Sequence, residues 1–310
     1  MMDAEVRDRL QGVAVGLLTP FNEDGSIRHD GIERNARALA DSGVETFLAA
    51  ANISEYHSLT APERVSVTET AVNALPEWAC VLAGVGGPTG DARDLIRAYE
   101  DAGVDAMMIM PPDHTYVHER GLLAYYRELA TASDRPIVPY VRGFEPSVEF
   151  LGDLTRLDGV VGIKYALSDH VKLGAGIAAG TDDVVWVNGA AEAHAVSYWA
   201  EGVEGFTAGV SNFRPEVGLA LYDALRAENW ERARALRNAC LPIQRMRSET
   251  GADNEIPGAI SVPVVKKGLE LSGLVGGHVR EPIRGLSAEE ERRVEELYEE
   301  LDAAIESLLA

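Results

Sequence analysis

The sequence has few of the features that would narrow its function at once. It contains two cysteines, Cys80 and Cys240, which lie far apart, so we expect free thiols in a reducing compartment. The N-terminal stretch "MMDAEVRDRL" is polar and acidic. No apolar run approaches the roughly 20 residues that a membrane-spanning helix requires. These absences predict a cytoplasmic protein without a membrane partner.

Positive charge is also scarce. The chain has 50 acidic and 28 basic residues, only four of them lysines, and its net charge is -22. Such a surface repels phosphate backbones, so we expect no nucleic-acid partner. Abundant carboxylate combined with scarce lysine indicates a halophilic source, because carboxylates retain water and cations in concentrated salt. The alternative is an ordinary acidic protein of the cytosol.

Eight short apolar runs alternate with longer amphipathic segments along most of the chain. Nearly continuous apolar strands are typical of a sheet that is buried on both faces, and the spacing leaves room for a crossover helix after each strand. Eight such units predict an α/β fold, a closed (β/α)8 TIM barrel. The predicted strands begin at Val13, Thr46, Ala79, Ala106, Pro136, Val160, Val184 and Gly205.

The alternation stops near residue 228. Three segments that follow have helical periodicity with no strand between them: "WERARALRNACLPIQRMRSE", "ISVPVVKKGLELSG" and "SAEEERRVEELYEELDAAIESLL". We therefore expect a barrel catalytic domain over residues 1–228 and a C-terminal three-helix extension over residues 229–310.

Lys164 ends the sixth predicted strand, in the stretch "VVGIKYA". Reactive groups of such barrels project from the C-terminal ends of the strands. A desolvated amine there would have a lowered pKa and could attack a carbonyl to form a Schiff base. The alternative is a structural lysine that reaches solvent or pairs with an acid. The scarcity of lysine favours the reactive role; we expect the other lysines, Lys172, Lys266 and Lys267, at the surface of helices.

Two further features adjoin this position. Tyr140 ends the fifth strand, next to Lys164, and its phenol could shuttle protons to and from the amine; a packing role is the alternative. The segment "AANISEYHSLT", residues 50–60, follows the second strand and could offer backbone N–H groups to a carboxylate. An ordinary strand-to-helix turn is the alternative there.

These stretches resemble the dihydrodipicolinate synthase and N-acetylneuraminate lyase family of class I, lysine-dependent aldolases and dehydratases. "LLTPF", "ANISEYHSLTAPER" and "GIKYALSD" are similar to its first-strand, carboxylate-loop and lysine motifs, and the resemblance covers nearly the whole chain. It implies that Lys164 forms the Schiff base, that Tyr140 moves protons, and that the protein is a homo-oligomer, commonly a tetramer.

The departures concern the substrate. Asn52 and Ile53 stand where dihydrodipicolinate synthases have two threonines, and the family's Tyr-Asn-Val-Pro-x-Arg run is missing. "YVR", "EYHSLT" and "GFTAGVSNFRPE" instead resemble segments of 5-keto-4-deoxyglucarate dehydratases. We therefore expect a Schiff-base lyase that acts on a 2-keto-3-deoxy sugar acid or a related 2-keto acid, by dehydration or by carbon-carbon cleavage that releases pyruvate. Dihydrodipicolinate synthesis remains an alternative.

In the expected mechanism the keto acid's carboxylate contacts the N–H groups of residues 52 to 54, while Arg142 meets a distal carboxylate or phosphate or pairs with Glu145. No metal and no cofactor are expected. A metal-dependent class II aldolase and a catalytically silent keto-acid-binding regulatory barrel are the competing interpretations. The predicted substrate-binding residues are Asn52, Ile53, Ser54, Arg142, Gly189, Thr207 and Asn212, with Glu192 either beside the substrate or capping the helix that follows it.

Overall fold

The computed structural model describes residues 2–309, and within them eight parallel strands close into a barrel in sequence order. Each predicted strand is present, with starts that differ from the prediction by at most two residues. The strands are β1 (Val13–Gly16), β2 (Thr46–Ala49), β3 (Cys80–Val85), β4 (Ala106–Ile109), β5 (Ile137–Val141), β6 (Gly162–Tyr165), β7 (Val185–Asn188) and β8 (Gly205–Thr207).

The helices of the described chain surround this barrel, and one of them precedes it. They are α1 (Met2–Leu10), α2 (His29–Asp41), α3 (Ala61–Ala74), α4 (Thr89–Ala102), α5 (Glu119–Ala132), α6 (Val148–Leu154), α7 (His170–Ala179), α8 (Glu192–Ala200), α9 (Pro215–Arg226), α10 (Trp230–Arg247), α11 (Ser261–Leu271) and α12 (Ala288–Leu309). Helices α2 to α9 each follow one strand, so the fold is a (β/α)8 TIM barrel with a C-terminal helical extension.

The strand residues are buried on both faces, as their apolar sequences predict. Side chains that alternate along each strand divide into two groups. One group packs outward against the helices, for example Phe47, Met107 and Ile163. The other fills the barrel interior, for example Leu82 and Met108. The interior is therefore a packed core, and a cavity can form only where the strands end.

Helix α1, which the sequence analysis did not predict, closes the N-terminal end of the barrel. Its Val6 and Leu10 belong to the interior cluster. A Cβ atom at Gly162 would lie 2.7 Å from Cδ1 of Leu10, and one at Gly205 would lie 2.1 Å from the Leu10 carbonyl oxygen. The first residues of β6 and β8 are glycines because the end of α1 lies directly against them.

The loop after β2 has a well-defined junction with α3. Thr60 caps this helix by accepting a hydrogen bond from the Glu63 N–H, and the Glu63 carboxylate accepts one from the Thr60 N–H in return. This capping box fixes where the loop ends and the helix begins.

The extension packs against the last part of the barrel. Helix α10 lies on α8 and α9, and α12 contacts both α10 and α11. Helix α11 also contacts the short 3-10 turn Val210–Asn212 that follows β8. The extension thus reaches the same end of the barrel at which the strands finish. None of the helices over residues 2–309 combines the length and the apolarity that crossing a bilayer requires.

Candidate active site

Lys164 and Tyr140 lie side by side at the C-terminal end of the barrel. The parallel register of β5 and β6 pairs the two residues directly, and both side chains point inward, with 7% and 2% of their surface exposed. The Lys164 Nζ atom lies 4.2 Å from the centroid of the Tyr140 ring and 3.8 Å from Sδ of Met108. The amine is therefore held among apolar and aromatic groups, next to a phenol.

This environment shifts both acid-base equilibria. Burial lowers the pKa of Lys164, Tyr140 opposes that shift, and the Arg142 guanidinium adds to it. Burial alone would raise the pKa of Tyr140, but the positive charges of Lys164 and Arg142 lower it overall. Both shifts favour an amine that loses its proton and a phenol that can accept and return one.

Arg142 links this pair to the mouth of the barrel. Its Nη1 group donates a hydrogen bond of 3.3 Å to the Tyr140 hydroxyl. Glu145, which the sequence offered as a partner for Arg142, instead pairs with Lys172 at 3.0 Å. The guanidinium of Arg142 is therefore directed to the site and not to its neighbour in the sequence.

The loop after β2 is built around a 3-10 turn, Asn52–Ser54. Ser54 is fully buried: its hydroxyl accepts from the Ala51 N–H, its own N–H donates to the Ala51 carbonyl, and its carbonyl accepts from Thr19. The first two N–H groups of such a turn lack a partner within it. The amides of Asn52 and Ile53 are thus the ones available to a ligand, whereas Ser54 stabilises the turn.

Ile53 occupies space that a glycine leaves free. A Cβ atom at Gly16 would lie 2.3 Å from Cγ2 of Ile53, so the isoleucine packs on the bare backbone at the end of β1. An apolar side chain therefore stands beside the available amides.

Strands β7 and β8 contribute the opposite wall. Thr207 lines the cavity and donates to the Asn188 carbonyl at 3.3 Å. A Cβ atom at Gly189 would lie 3.0 Å from Cγ of Lys164, so this glycine leaves room for the lysine stem. Asn212 is fully buried in the turn after β8, donates to the Gly209 carbonyl, and is not among the cavity-lining residues.

Glu192 is buried and is not in contact with the cavity. Its carboxylate accepts from the N–H groups of Gly209, Val210 and Ser211, at 2.8 to 3.1 Å, and from the Ser211 hydroxyl. It therefore fixes the loop after β8 and does not act as a cap of its own helix.

Together these walls enclose a cavity of about 670 Å³ with Lys164 on its surface. Arg142, His57 and Arg247 bring further basic groups to it, although the chain as a whole is strongly acidic. Such a cavity suits a small anionic ligand, and the Lys164 amine lies on its surface. In the described part of the chain, no group of three or more His, Cys, Asp or Glu side chains is arranged to hold a metal ion.

Comparison with known proteins identifies the family. The model of the dihydrodipicolinate synthetase family matches residues 9–301. The chain belongs to this family. It is 32% identical over 288 residues to a protein named "Probable 5-dehydro-4-deoxyglucarate dehydratase 2" from Streptomyces coelicolor. The aligned region covers 90% of this chain and 87% of that protein. It is 29% identical to a 4-hydroxy-tetrahydrodipicolinate synthase from Methanosarcina mazei, with 89% and 93% covered.

The solved structures agree with this assignment. The crystal structure of dihydrodipicolinate synthase from Oceanobacillus iheyensis superposes with a TM-score of 0.91, at 28% identity, and covers 97% of this chain and 99% of that one. Members of the dihydrodipicolinate synthetase family are class I lyases, so the chain is a Schiff-base-forming lyase of keto acids, as expected. The (β/α)8 fold and the lyase chemistry predicted from the sequence are confirmed.

One lysine prediction was wrong. Lys266 was expected at the surface, but only 2% of it is exposed. Its ammonium group lies 2.6 Å from the Glu55 carboxylate and donates to the carbonyls of Thr19 and His278. This buried ion pair ties α11 of the extension to the loop that carries Asn52 and Ile53.

The cavity also contains residues from the extension that the sequence did not predict. Gln244 and Arg247 near the end of α10 line the cavity together with Pro282 and Ile283. Their spacing of three residues puts Gln244 and Arg247 on one helical face, next to the buried Ile243 and Met246. That periodicity could have indicated a buried face, but nothing in the sequence says that this face meets the barrel mouth.

Proposed function

We propose that the chain is a dehydratase of a deoxy-keto sugar acid and that Lys164 forms the Schiff base. The observation that carries this proposal is the pairing of Lys164 with Tyr140 across β5 and β6, beside the cavity at the mouth of the barrel. Similarity to proteins named 5-dehydro-4-deoxyglucarate dehydratases supports the choice of substrate class.

The proposed reaction begins when the neutral Lys164 amine attacks the C2 carbonyl carbon, with the substrate carboxylate against the amides of Asn52 and Ile53. Tyr140 passes a proton to the oxygen, which leaves as water, and an iminium forms. Positive charge on nitrogen acidifies C3, so loss of the C3 proton gives an enamine. The enamine expels the C4 hydroxyl, which takes up the proton released from C3 and leaves as a second water. Hydrolysis of the resulting iminium consumes one water, releases the dehydrated keto acid and regenerates Lys164.

Ile53 favours dehydration over dihydrodipicolinate synthesis. A hydrocarbon side chain beside the carboxylate amides cannot relay protons, and Asn52 and Ile53 stand where the synthases carry threonines. The similarity to the Methanosarcina mazei synthase keeps synthesis as the second candidate. Synthesis would require condensation of pyruvate with aspartate semialdehyde. A direct product assay distinguishes this condensation from dehydration of a sugar acid.

The test has two parts. Pyruvate with borohydride should leave a reduced adduct on Lys164, located by peptide mass spectrometry. A panel of 2-keto-3-deoxy acids, assayed in high salt, should show loss of water without release of pyruvate. Release of pyruvate from the sugar acids would reverse the choice between dehydration and cleavage. An adduct on Lys164 with no turnover of any acid would instead support a silent keto-acid-binding barrel.

We also propose that the chain has two domains. Residues 1–228 form the catalytic barrel, and residues 229–310 form a helical unit that completes the site. The contacts of Lys266 and Arg247 with the barrel mouth support this division. A chain cut before residue 229 should therefore lose keto-acid binding, which borohydride trapping measures.

A homotetramer in the cytoplasm of a salt-adapted organism completes the proposal. Large apolar side chains left exposed on the described chain support self-association, with Tyr116 exposed over 87% of its surface. Light scattering coupled to size exclusion should give four times the 33.4 kDa chain mass. The unfolding temperature should rise with potassium chloride, and a flat response would contradict salt adaptation.

A further inference from the structure

Arg247, at the end of α10, brings a cation to the cavity from outside the barrel. Its Nη1 group donates to Oε1 of Gln244 at 2.8 Å. Its Nε group is shielded from solvent, and over residues 2–309 it has no hydrogen-bond partner. A buried guanidinium donor without an acceptor is costly, because it has lost its water without compensation. An acceptor supplied by a ligand would remove this cost.

The position of Arg247 is fixed by the loop after β8. Gln244, one helical turn earlier, donates to the buried Glu192 carboxylate. Glu192 also accepts three backbone N–H groups of that loop, so its charge is largely satisfied there. A Cβ atom at Gly209 would lie 2.0 Å from Nη1 of Arg247. The guanidinium therefore rests on bare backbone and is held in place before any ligand binds.

The charges of the cavity point in the same direction. Arg142 and Arg247 are close enough that the charge of Arg142 adds to burial in lowering the pKa of Arg247, against the opposing effect of Glu192. Glu55 also lines the cavity, but its carboxylate is neutralised by Lys266. The amides of Asn52 and Ile53 can take one carboxylate. The two arginines leave positive charge for a second anion.

We propose that Arg247, assisted by Arg142, binds a carboxylate at the far end of the substrate, so that the site selects keto diacids over keto monoacids. This inference rests on the proposed function, because Schiff-base formation at Lys164 fixes the near end of the ligand. A glucarate skeleton carries a carboxylate at each end and fits such a site. Arg247 is thus a specificity-determining residue, contributed by the extension.

The test compares two six-carbon 2-keto acids that can form the imine but have no C4 hydroxyl to lose, and that differ only in the far group: 2-oxoadipate, a diacid, and 2-oxohexanoate, a monoacid. Borohydride trapping at Lys164 gives the concentration of each that produces half-maximal labelling. The intact protein should prefer the diacid by roughly 10-fold to 100-fold, the range expected for a charge-assisted hydrogen bond. Arg247→Met should abolish this preference by weakening only the labelling by the diacid. Arg247→Lys should retain part of the preference.

Two further variants make the comparison specific. Arg245→Met is the matched control, because Arg245 lies on the same helix but is exposed, and the preference should be unchanged. Gly209→Ala should act like Arg247→Met, because a methyl group there displaces the guanidinium together with the Gln244 amide that holds it. Equal labelling by both probes in the intact protein, or an unchanged preference in Arg247→Met, would overturn the inference while leaving the imine at Lys164 intact. Failure of both probes to label Lys164 would refute the proposed function itself.

Discussion

The two walls of the cavity are built in different ways. On one side, Lys164 and Tyr140 are neighbours in the register of adjacent strands, so main-chain hydrogen bonding alone brings them together. On the other, Arg247 reaches the cavity through Gln244, Glu192 and the loop after β8, which come from three separate parts of the chain. In the proposed reaction the chemistry is placed on rigid strands and the recognition on long-range contacts, so the second wall can vary without disturbing the first.

The largest effect should come from the strand side. Lys164→Ala removes the only atom that can form the imine in the proposed reaction, so we expect turnover to fall below detection while the unfolding temperature stays within a few degrees. Lys172→Ala is the control, because its ammonium group pairs with Glu145 outside the cavity and its loss should leave the rate unchanged. Residual turnover by Lys164→Ala at more than a background rate would assign the chemistry elsewhere.

Tyr140→Phe should cost less, since it leaves the amine in place. Positioned acid-base groups contribute roughly 100-fold to 10,000-fold to a rate, and we expect a loss of kcat in that range. Single-turnover trapping with borohydride should show that imine formation itself has slowed. A normal trapping rate would mean that the phenol serves a later step or only packs against the lysine stem.

On the recognition side, Lys266→Met tests whether the extension stabilises the loop after β2, which carries Asn52 and Ile53. Removing one partner of a buried ion pair leaves the other charge uncompensated, and we expect the free energy of unfolding to fall by about 3–5 kcal/mol. Lys267→Met provides the matched control. Its ammonium group pairs with Glu295 near the surface, and the expected loss is about 0–1 kcal/mol. Denaturant titration measures both, and equal losses would show that the buried pair has no special role.

The smallest effect is a shift of the pH profile. Arg142 lowers the pKa of Lys164, so removing its charge in Arg142→Met should raise that pKa. Because the neutral amine is the nucleophile in the proposed reaction, the acidic limb of kcat/KM should move to higher pH. The direction is the informative result, and a shift to lower pH would show that Arg142 acts mainly through the Tyr140 hydroxyl.

The same contrast explains what the sequence could reveal. The placement of Lys164 beside Tyr140 was predictable because each ends an apolar run, and adjacent parallel strands finish at the same edge of a barrel. Lys266 and Arg247 were not, since helical periodicity identifies a buried face without identifying what covers it. The sequence marks a lysine as unusual only where lysine is rare, and Arg247 is one arginine among many in α10.

Ser54 and Asn212 show a second limit of sequence reasoning. Both are polar residues in loops at the correct end of the barrel, so both were predicted to bind substrate. In the structure the Ser54 hydroxyl and N–H are used within its own turn, and Asn212 is fully buried in the turn after β8, where it donates to the Gly209 carbonyl. Short polar side chains in tight turns often form hydrogen bonds with the backbone beside them. They are available to a ligand only where these local hydrogen bonds leave a donor or acceptor free.

The contact between Gly16 and Ile53 has an evolutionary consequence. Since the isoleucine methyl group occupies the volume of the missing glycine side chain, neither residue is free to change alone: a larger residue at position 16 requires a smaller one at position 53. The two positions should therefore covary among homologues. A double variant with a larger residue at position 16 and a smaller one at position 53 should be tolerated where each single change is not.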